Sequence, residues 1–261
     1  MNQVYEQRLS HLFSVSQRQI LQHGKIGLEK ETLRVGEDGH IAQTPHPKSL
    51  GSTLTHPHIT TDYSEALLEF ITPPFNQLSE ALRFLQHIHQ FSYQHMDDEL
   101  LWTASMPCVV DGDNSVPIAN YGSSNSGMMK HIYRRGLGHR YGKVMQVIAG
   151  VHFNYSLPEP LWPIFQEFEQ NNTSLQEFRT QHYFGLIRNV QRFGWLLFYL
   201  FGVSPAVCKS FLKGHECDLD EYDDNTYYLP YATSLRMSDI GYTNTTRCSL
   251  QVSYDDLAAY A

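Results

Sequence analysis

Apolar residues recur along this chain with two different periods, and the switch between them marks most of its elements. Residues 5–22 carry Leu9, Leu12, Phe13, Ile20 and Leu21 at roughly helical spacing. Residues 77–93 place Leu78, Ala81, Leu82, Leu85 and Ile88 on one helical stripe. A further helix is predicted over 173–201, turning apolar towards its end and broken by Gly202 and Pro205. Residues 26–35, IGLEKETLRV, read as extended, and 40–58 as loop, with Pro45, Pro47 and Pro57. The clearest strand signal is 144–156, where Met145, Val147, Ala149, Val151, Phe153 and Tyr155 alternate with Gln146, Ile148, Gly150, His152, Asn154 and Ser156. Period two gives that strand an apolar face for the core and a mostly polar one. The polar face offers His and Asn and lacks Lys, Glu and Thr, so it suits a cavity lining as well as a solvent face.

One segment reads two ways. In TDYSEALLEFITPP (61–74), Asp62 and Glu65 form a capping box if the segment is a helix, with Pro73 and Pro74 ending it. If 66–71 is a strand, Ala66, Leu68 and Phe70 face the core and Glu69 points the other way between Leu67 and Ile71. A carboxylate between such neighbours is seldom left buried without a partner. Propensity leaves the fork open.

Length and composition narrow the class. The chain has 261 residues, against roughly 150 per domain, and no repeat or Gly/Ser linker marks a boundary. A hydrophobic share of 41% separates it from disordered chains. Its 19 Lys and Arg against 27 Asp and Glu leave a net charge of −8, which argues against a nucleic-acid surface. The apolar run Trp195–Phe201 is too short to span a bilayer, and MNQVYEQRLSHLF does not read as a signal peptide. Cys108, Cys208, Cys217 and Cys248 lie far apart without a CxxC pair, and Cys108 reads as a core thiol. The expectation is a soluble, cytoplasmic, reduced protein with no membrane partner.

The candidate chemistry is acidic. On a strand, Glu29 and Glu31 share a face about 7 Å apart. Such a pair resists joint ionisation unless cations lie between, and it suits Mg²⁺ ions that also carry phosphate oxygens. A solvated edge strand would look the same, and Leu33 and Val35 break the pattern by sharing the carboxylate face. The segment from Tyr121 to Gly127 has the glycines and serines of a phosphate cradle, followed by a candidate helix 128–135, yet is no Walker loop. Arg134, Arg135, Arg140 and Arg236 are candidates for holding carboxylate or phosphate. The acidic run 218–224 reads as a solvated loop.

Seven strings taken together point further: GLEKETLRV (27–35), LTHPHITTDYSEALLEFITPP (54–74), LWTASMPC (101–108), IANYGSSNSG (118–127), YRRGLGHRYG (133–142), MQVIAGVHFNYSLP (145–158) and YATSLRMSDIGYTN (231–244). In content and order they resemble the proteobacterial type of glutamate–cysteine ligase. The resemblance implies an α+β fold like that of glutamine synthetase, an antiparallel sheet curved into a funnel with helices outside. It implies ATP-dependent joining of the L-glutamate γ-carboxylate to the L-cysteine amine through γ-glutamyl phosphate, with Mg²⁺ or Mn²⁺. It assigns Glu29, Glu31, Asp62, Glu69 and His152 to metal, and Asn154 to a supporting, substrate-binding place. It sets Tyr133 and Tyr242 near a cysteine pocket and Arg236, as a catalytic group, near substrate or phosphate. Family members are substantially longer, with a further strand carrying another carboxylate and an arginine. Residues 1–261 are therefore expected to be the N-terminal part of one catalytic domain, associating with a missing C-terminal half or with itself. The competing expectations are a ligase joining glutamate to another amine, and a fragment that binds without turnover.

Overall fold

Residues 25–35 form the longest strand, and the carboxylates of interest are arranged around it. A computed structural model describes residues 3–107, 109–213, 217–238 and 253–260. In chain order come α1 (Gln3–Leu12), α2 (Val15–Leu21), β1 (Lys25–Val35), β2 (Ile59–Thr61), β3 (Leu67–Ile71), α3 (Leu78–Gln94) and β4 (Leu100–Leu101). Then follow α4 (Asn125–Tyr141), β5 (Val151–Ser156), α5 (Leu161–Phe168), α6 (Leu175–Phe193), α7 (Trp195–Phe201), β6 (Ala206–Cys208), β7 (Asp220–Asp223), β8 (Thr226–Tyr228) and α8 (Leu257–Tyr260). The class is α+β with antiparallel sheets, as expected.

In the main sheet β1 lies between β3 and β5, with β2 outside β3 and β4 pairing the far end of β1. The fork over 61–74 resolves to strand because Leu67–Ile71 is hydrogen-bonded on both sides, to β1 and to β2. Ladder bonds on two edges outweigh a capping-box signal that only a helix could use. Ala66, Leu68 and Phe70 are fully buried, as that reading required.

One face of the sheet is covered by α3. Ala81, Leu85 and Ile88 pack against Leu28, Ile59, Leu68 and Phe70, whereas Leu78 and Leu82 of the expected stripe stay exposed. The opposite face divides. At its Leu33 end, Leu33, Val35 and Leu67 are buried with Val144, Val147, Val207 and Phe211; at its Glu29 end it is polar. The imperfect alternation in 26–35 thus has a physical cause, since one face meets a packed cover at one end only.

The strand expected over 144–156 is shorter. Val144–Val147 is a 3-10 turn that contributes Val144 and Val147 to the core, and the strand proper begins at Val151. Its register matches the expectation, with His152 opposite Glu29. Its burial does not, because Val151 and Phe153 are 66% and 58% exposed. They lie on the face of Leu28, but α3 packs mainly over β1 and β3 and leaves these side chains uncovered. The helix expected over 173–201 is two helices meeting at Gly194, the first capped by the Ser174 hydroxyl accepting from the Glu177 N–H. The acidic run 218–224 is mostly the exposed strand β7 of a second, three-stranded sheet. Among the described residues no helix is long and apolar enough to cross a membrane.

Candidate active site

Register alone collects the acidic residues. Glu31 sits directly opposite Glu69 across β1 and β3, Glu29 opposite His152 across β1 and β5, and Gly27 opposite Asn154. Period two then sets Glu29, Glu31, Glu69, His152 and Asn154 on one face of the sheet. Asp62 follows β2, whose Thr60 is opposite Glu69. Like charges facing each other across a ladder are destabilising, so this arrangement is unfavourable for stability alone.

The side chains partly satisfy one another. Asn154 Nδ2 donates to Glu29 Oε1 at 2.9 Å, and His152 Nδ1 lies 3.2 Å from Glu29 Oε2. The other ring nitrogen of His152 is 3.7 Å from Glu31 Oε1. The Gly150 N–H donates to Glu31 Oε2 at 2.7 Å. Arg134 Nε donates to the Asp62 carbonyl, and its guanidinium lies over the Tyr121 ring. Tyr121 in turn donates its hydroxyl to the Thr61 carbonyl at 2.6 Å.

Charge remains unrelieved. Burial pushes the Glu69 carboxyl up to about 7, and the negative charges of Asp62, Glu31 and Glu29 push the same way. Burial also raises Glu31, partly offset by the Gly150 N–H, and raises Asp62, partly offset by Arg134. Between its ordinary 4.5 and about 7, folded Glu69 holds a proton that the unfolded chain has released. Stability contributed by that proton is present at low pH and lost as pH rises through this window. The melting temperature in metal-free buffer should therefore fall between about pH 5 and about pH 8, and Mn²⁺ should raise it more at the higher value. An equal Mn²⁺ shift at both pH values would remove the cluster as the binding place.

Among the described residues no three His, Cys, Asp or Glu side chains converge as a ready-made coordination sphere. Glu29 and Glu31 direct their oxygens to His152, Asn154 and Gly150. The donor set nevertheless fits a hard divalent cation: carboxylate oxygens from adjacent strands, partly buried, two of them face to face.

Other residues named from the sequence are engaged differently or exposed. Glu65 bridges two loops, accepting from the His46 N–H at 2.9 Å and the Asn120 N–H at 2.7 Å. Tyr133 is 64% exposed on α4, and Arg236 is exposed in the 3-10 turn Leu235–Met237. Among the described residues no hydrogen bond or ion pair joins either to the carboxylates. Tyr242, Cys108 and Cys248 lie outside the described residues. The Tyr121–Gly127 segment leads into a helix as expected, with the Ser124 hydroxyl capping α4 by accepting from the Gly127 N–H. Gly150 and Tyr121 are contributors that residue type did not single out; the visible signal for Gly150 was only a glycine two residues before His152 on the polar face.

The sequence profile of the glutamate-cysteine ligase family matches residues 9–261. The chain belongs to this family. It is 54% identical over 255 residues to a glutamate–cysteine ligase of Alcanivorax borkumensis, covering 98% of this chain and 49% of that relative. A glutamate–cysteine ligase of Francisella tularensis, solved in complex with AMP, superposes with a TM-score of 0.81 at 41% identity, over 91% of this chain and 46% of that one. A bifunctional glutathione synthetase of Pasteurella multocida gives a TM-score of 0.75 at 30% identity, over 98% of this chain and 31% of that one. The chain spans about half the length of the curated glutamate–cysteine ligases it matches.

Proposed function

We propose that this chain supplies the acidic, cation-binding half of an ATP-dependent glutamate–cysteine ligase acting in the cytoplasm. The observation that carries the reading is one sheet face holding Glu29, Glu31, Glu69 and His152 beside Asp62, in a chain of this family. In the reaction the glutamate γ-carboxylate attacks the γ-phosphorus of ATP and ADP leaves. The cysteine amine then attacks the carbonyl carbon of γ-glutamyl phosphate, loses a proton, and phosphate leaves. Bound Mg²⁺ or Mn²⁺ supplies neutralisation of the crowded phosphate and carboxylate charge.

Glu29, Glu31, Asp62, Glu69 and His152 would hold those cations. Asn154 is assigned to positioning Glu29, because its amide already donates to that carboxylate. Arg134 fixes the backbone at Asp62 and keeps a cation beside the cluster. Arg236 is proposed to hold phosphate, and Tyr133 and Tyr242 the cysteine.

The finer architecture belongs to the same proposal: residues 1–261 form part of one catalytic domain whose sheet curves into a funnel. Its completion falls to the sequence that the relatives carry in their other half. Supporting this, among the described residues β5 pairs with β1 alone and is exposed along its whole length, and α7 is exposed at every position. The test is ADP release dependent on glutamate, cysteine and Mg²⁺, measured with and without the second half of the Alcanivorax relative. Weak turnover alone and strong cysteine-dependent release on mixing are expected. ADP release indifferent to cysteine in the mixture would overturn the acceptor assignment.

A further inference from the structure

Gly150 stands where the chain enters β5, and its backbone has no unusual demand: its φ is not positive, so an L side chain is conformationally allowed. What a side chain would meet is specific. A Cβ there would lie 2.8 Å from His152 Nε2, 3.1 Å from His152 Cδ2 and 3.4 Å from Glu31 Oε2. The first contact is shorter than atoms tolerate. It falls on the tip of a ring that is 53% exposed and free to swing outward. The fold can therefore accept a methyl group at this position, but the imidazole cannot stay where it is.

That place is the one from which His152 reaches Glu29 at 3.2 Å and Glu31 at 3.7 Å. The backbone of Gly150 is also tied to Glu31 twice. Its N–H donates to Oε2 at 2.7 Å, and its carbonyl accepts from the Glu31 N–H at 2.9 Å. We propose that Gly150 is a positioning residue of the carboxylate cluster, its missing side chain providing the space in which His152 bridges Glu29 and Glu31. This rests on the reading of the cluster as a cation site. Groups that orient ligands from behind commonly change metal affinity by about 10- to 100-fold.

The sheet contains its own control. At Gly27, on the facing strand, a Cβ would meet only Asn154 Cβ at 3.8 Å, an ordinary contact. Mn²⁺ binding, read by electron paramagnetic resonance, and melting temperature are measured for the purified chain and for Gly150→Ala, Gly27→Ala, His152→Ala, Glu31→Gln and the double variant Gly150→Ala/His152→Ala. The expected result is about tenfold weaker Mn²⁺ binding in Gly150→Ala, near-normal binding in Gly27→Ala, and similar melting temperatures for the two. In the His152→Ala background the Gly150 change should add less than about twofold, since its effect passes through the ring. Normal Mn²⁺ binding in Gly150→Ala beside a clear loss in Glu31→Gln would overturn the inference and leave the cation reading standing. So would a Gly150 effect undiminished in the His152→Ala background, or one tracking a melting temperature far below that of Gly27→Ala. Unaltered binding in Glu31→Gln would instead sink the cation reading, and this inference with it.

Discussion

Glu69→Gln should cost about three orders of magnitude in cysteine-dependent ADP formation by the reconstituted enzyme, while raising the melting temperature of the metal-free chain at alkaline pH. The two effects share one cause. Glu69 faces Glu31 across the ladder, and its proton affinity is pushed to about 7 by burial and by three neighbouring carboxylates. Glutamine keeps the shape, fills the same space between Leu67 and Ile71, and removes the charge that neither burial nor neighbours favour. What stabilises the empty fold is therefore what removes a charged oxygen donor from the site. A merely structural glutamate would lose stability on this change. Glu37, exposed in the turn after β1, is the control and should tolerate Gln in both measurements. Turnover near the parent rate in Glu69→Gln would end its assignment as a cation ligand.

Size-exclusion chromatography with light scattering should find the purified chain self-associated at micromolar concentration, and the complementary half of a relative should replace that association with a defined complex. The reason lies in α7, WLLFYLF, whose seven residues are apolar in every direction around the helix. A helix apolar all round belongs inside protein or membrane, and it is far too short for the latter. Yet Trp195, Leu197, Tyr199, Leu200 and Phe201 are each more than half exposed. Covering the exposed half of each such side chain is worth about 1 kcal/mol, hence several kcal/mol together. That is a substantial part of the roughly 8 kcal/mol net that micromolar association requires, and further buried surface has to supply the rest and offset the entropic cost. In addition, β5 exposes Val151, Phe153 and Tyr155 and, among the described residues, pairs with β1 alone, which leaves a template for another strand. Leu197→Asp with Leu200→Asp should shift the chain towards monomer with little change in melting temperature, both positions being solvent-facing. A clean monomer of the unaltered chain, indifferent to the complementary half, would refute this account.

Sequence and structure divide these results along a physical line. Period-two alternation specifies which residues face the same way. From it Glu29 and Glu31 share one face of their strand, His152 and Asn154 share one face of theirs, and Phe153 opposes His152; the register bears this out and sets both pairs on the same face of the sheet. Long stretches of family-like sequence carried the identification, since strings such as GLEKETLRV are specific where spacing is not. The candidate site residues named from those strings fall into two groups. The carboxylates and His152 come together, whereas Tyr133 and Arg236 are exposed and, among the described residues, make no hydrogen bond or ion pair with them.

Periodicity says nothing about what packs against a face, and that is what tertiary structure decided. Leu33 and Glu29 lie on one side of one strand, but only the Leu33 end is capped by Val144, Val147 and Phe211. Phe153 and Leu28 share a face, but α3 covers only Leu28. Asp62 and Glu65 read as a capping box if their segment is helical, and pairing of β3 on both edges sent Asp62 to the cluster and Glu65 to a loop bridge. Local sequence determined direction along each strand; burial, partner and charge state were decided by contacts between residues far apart in the chain, such as Gly150 with Glu31, 119 positions away.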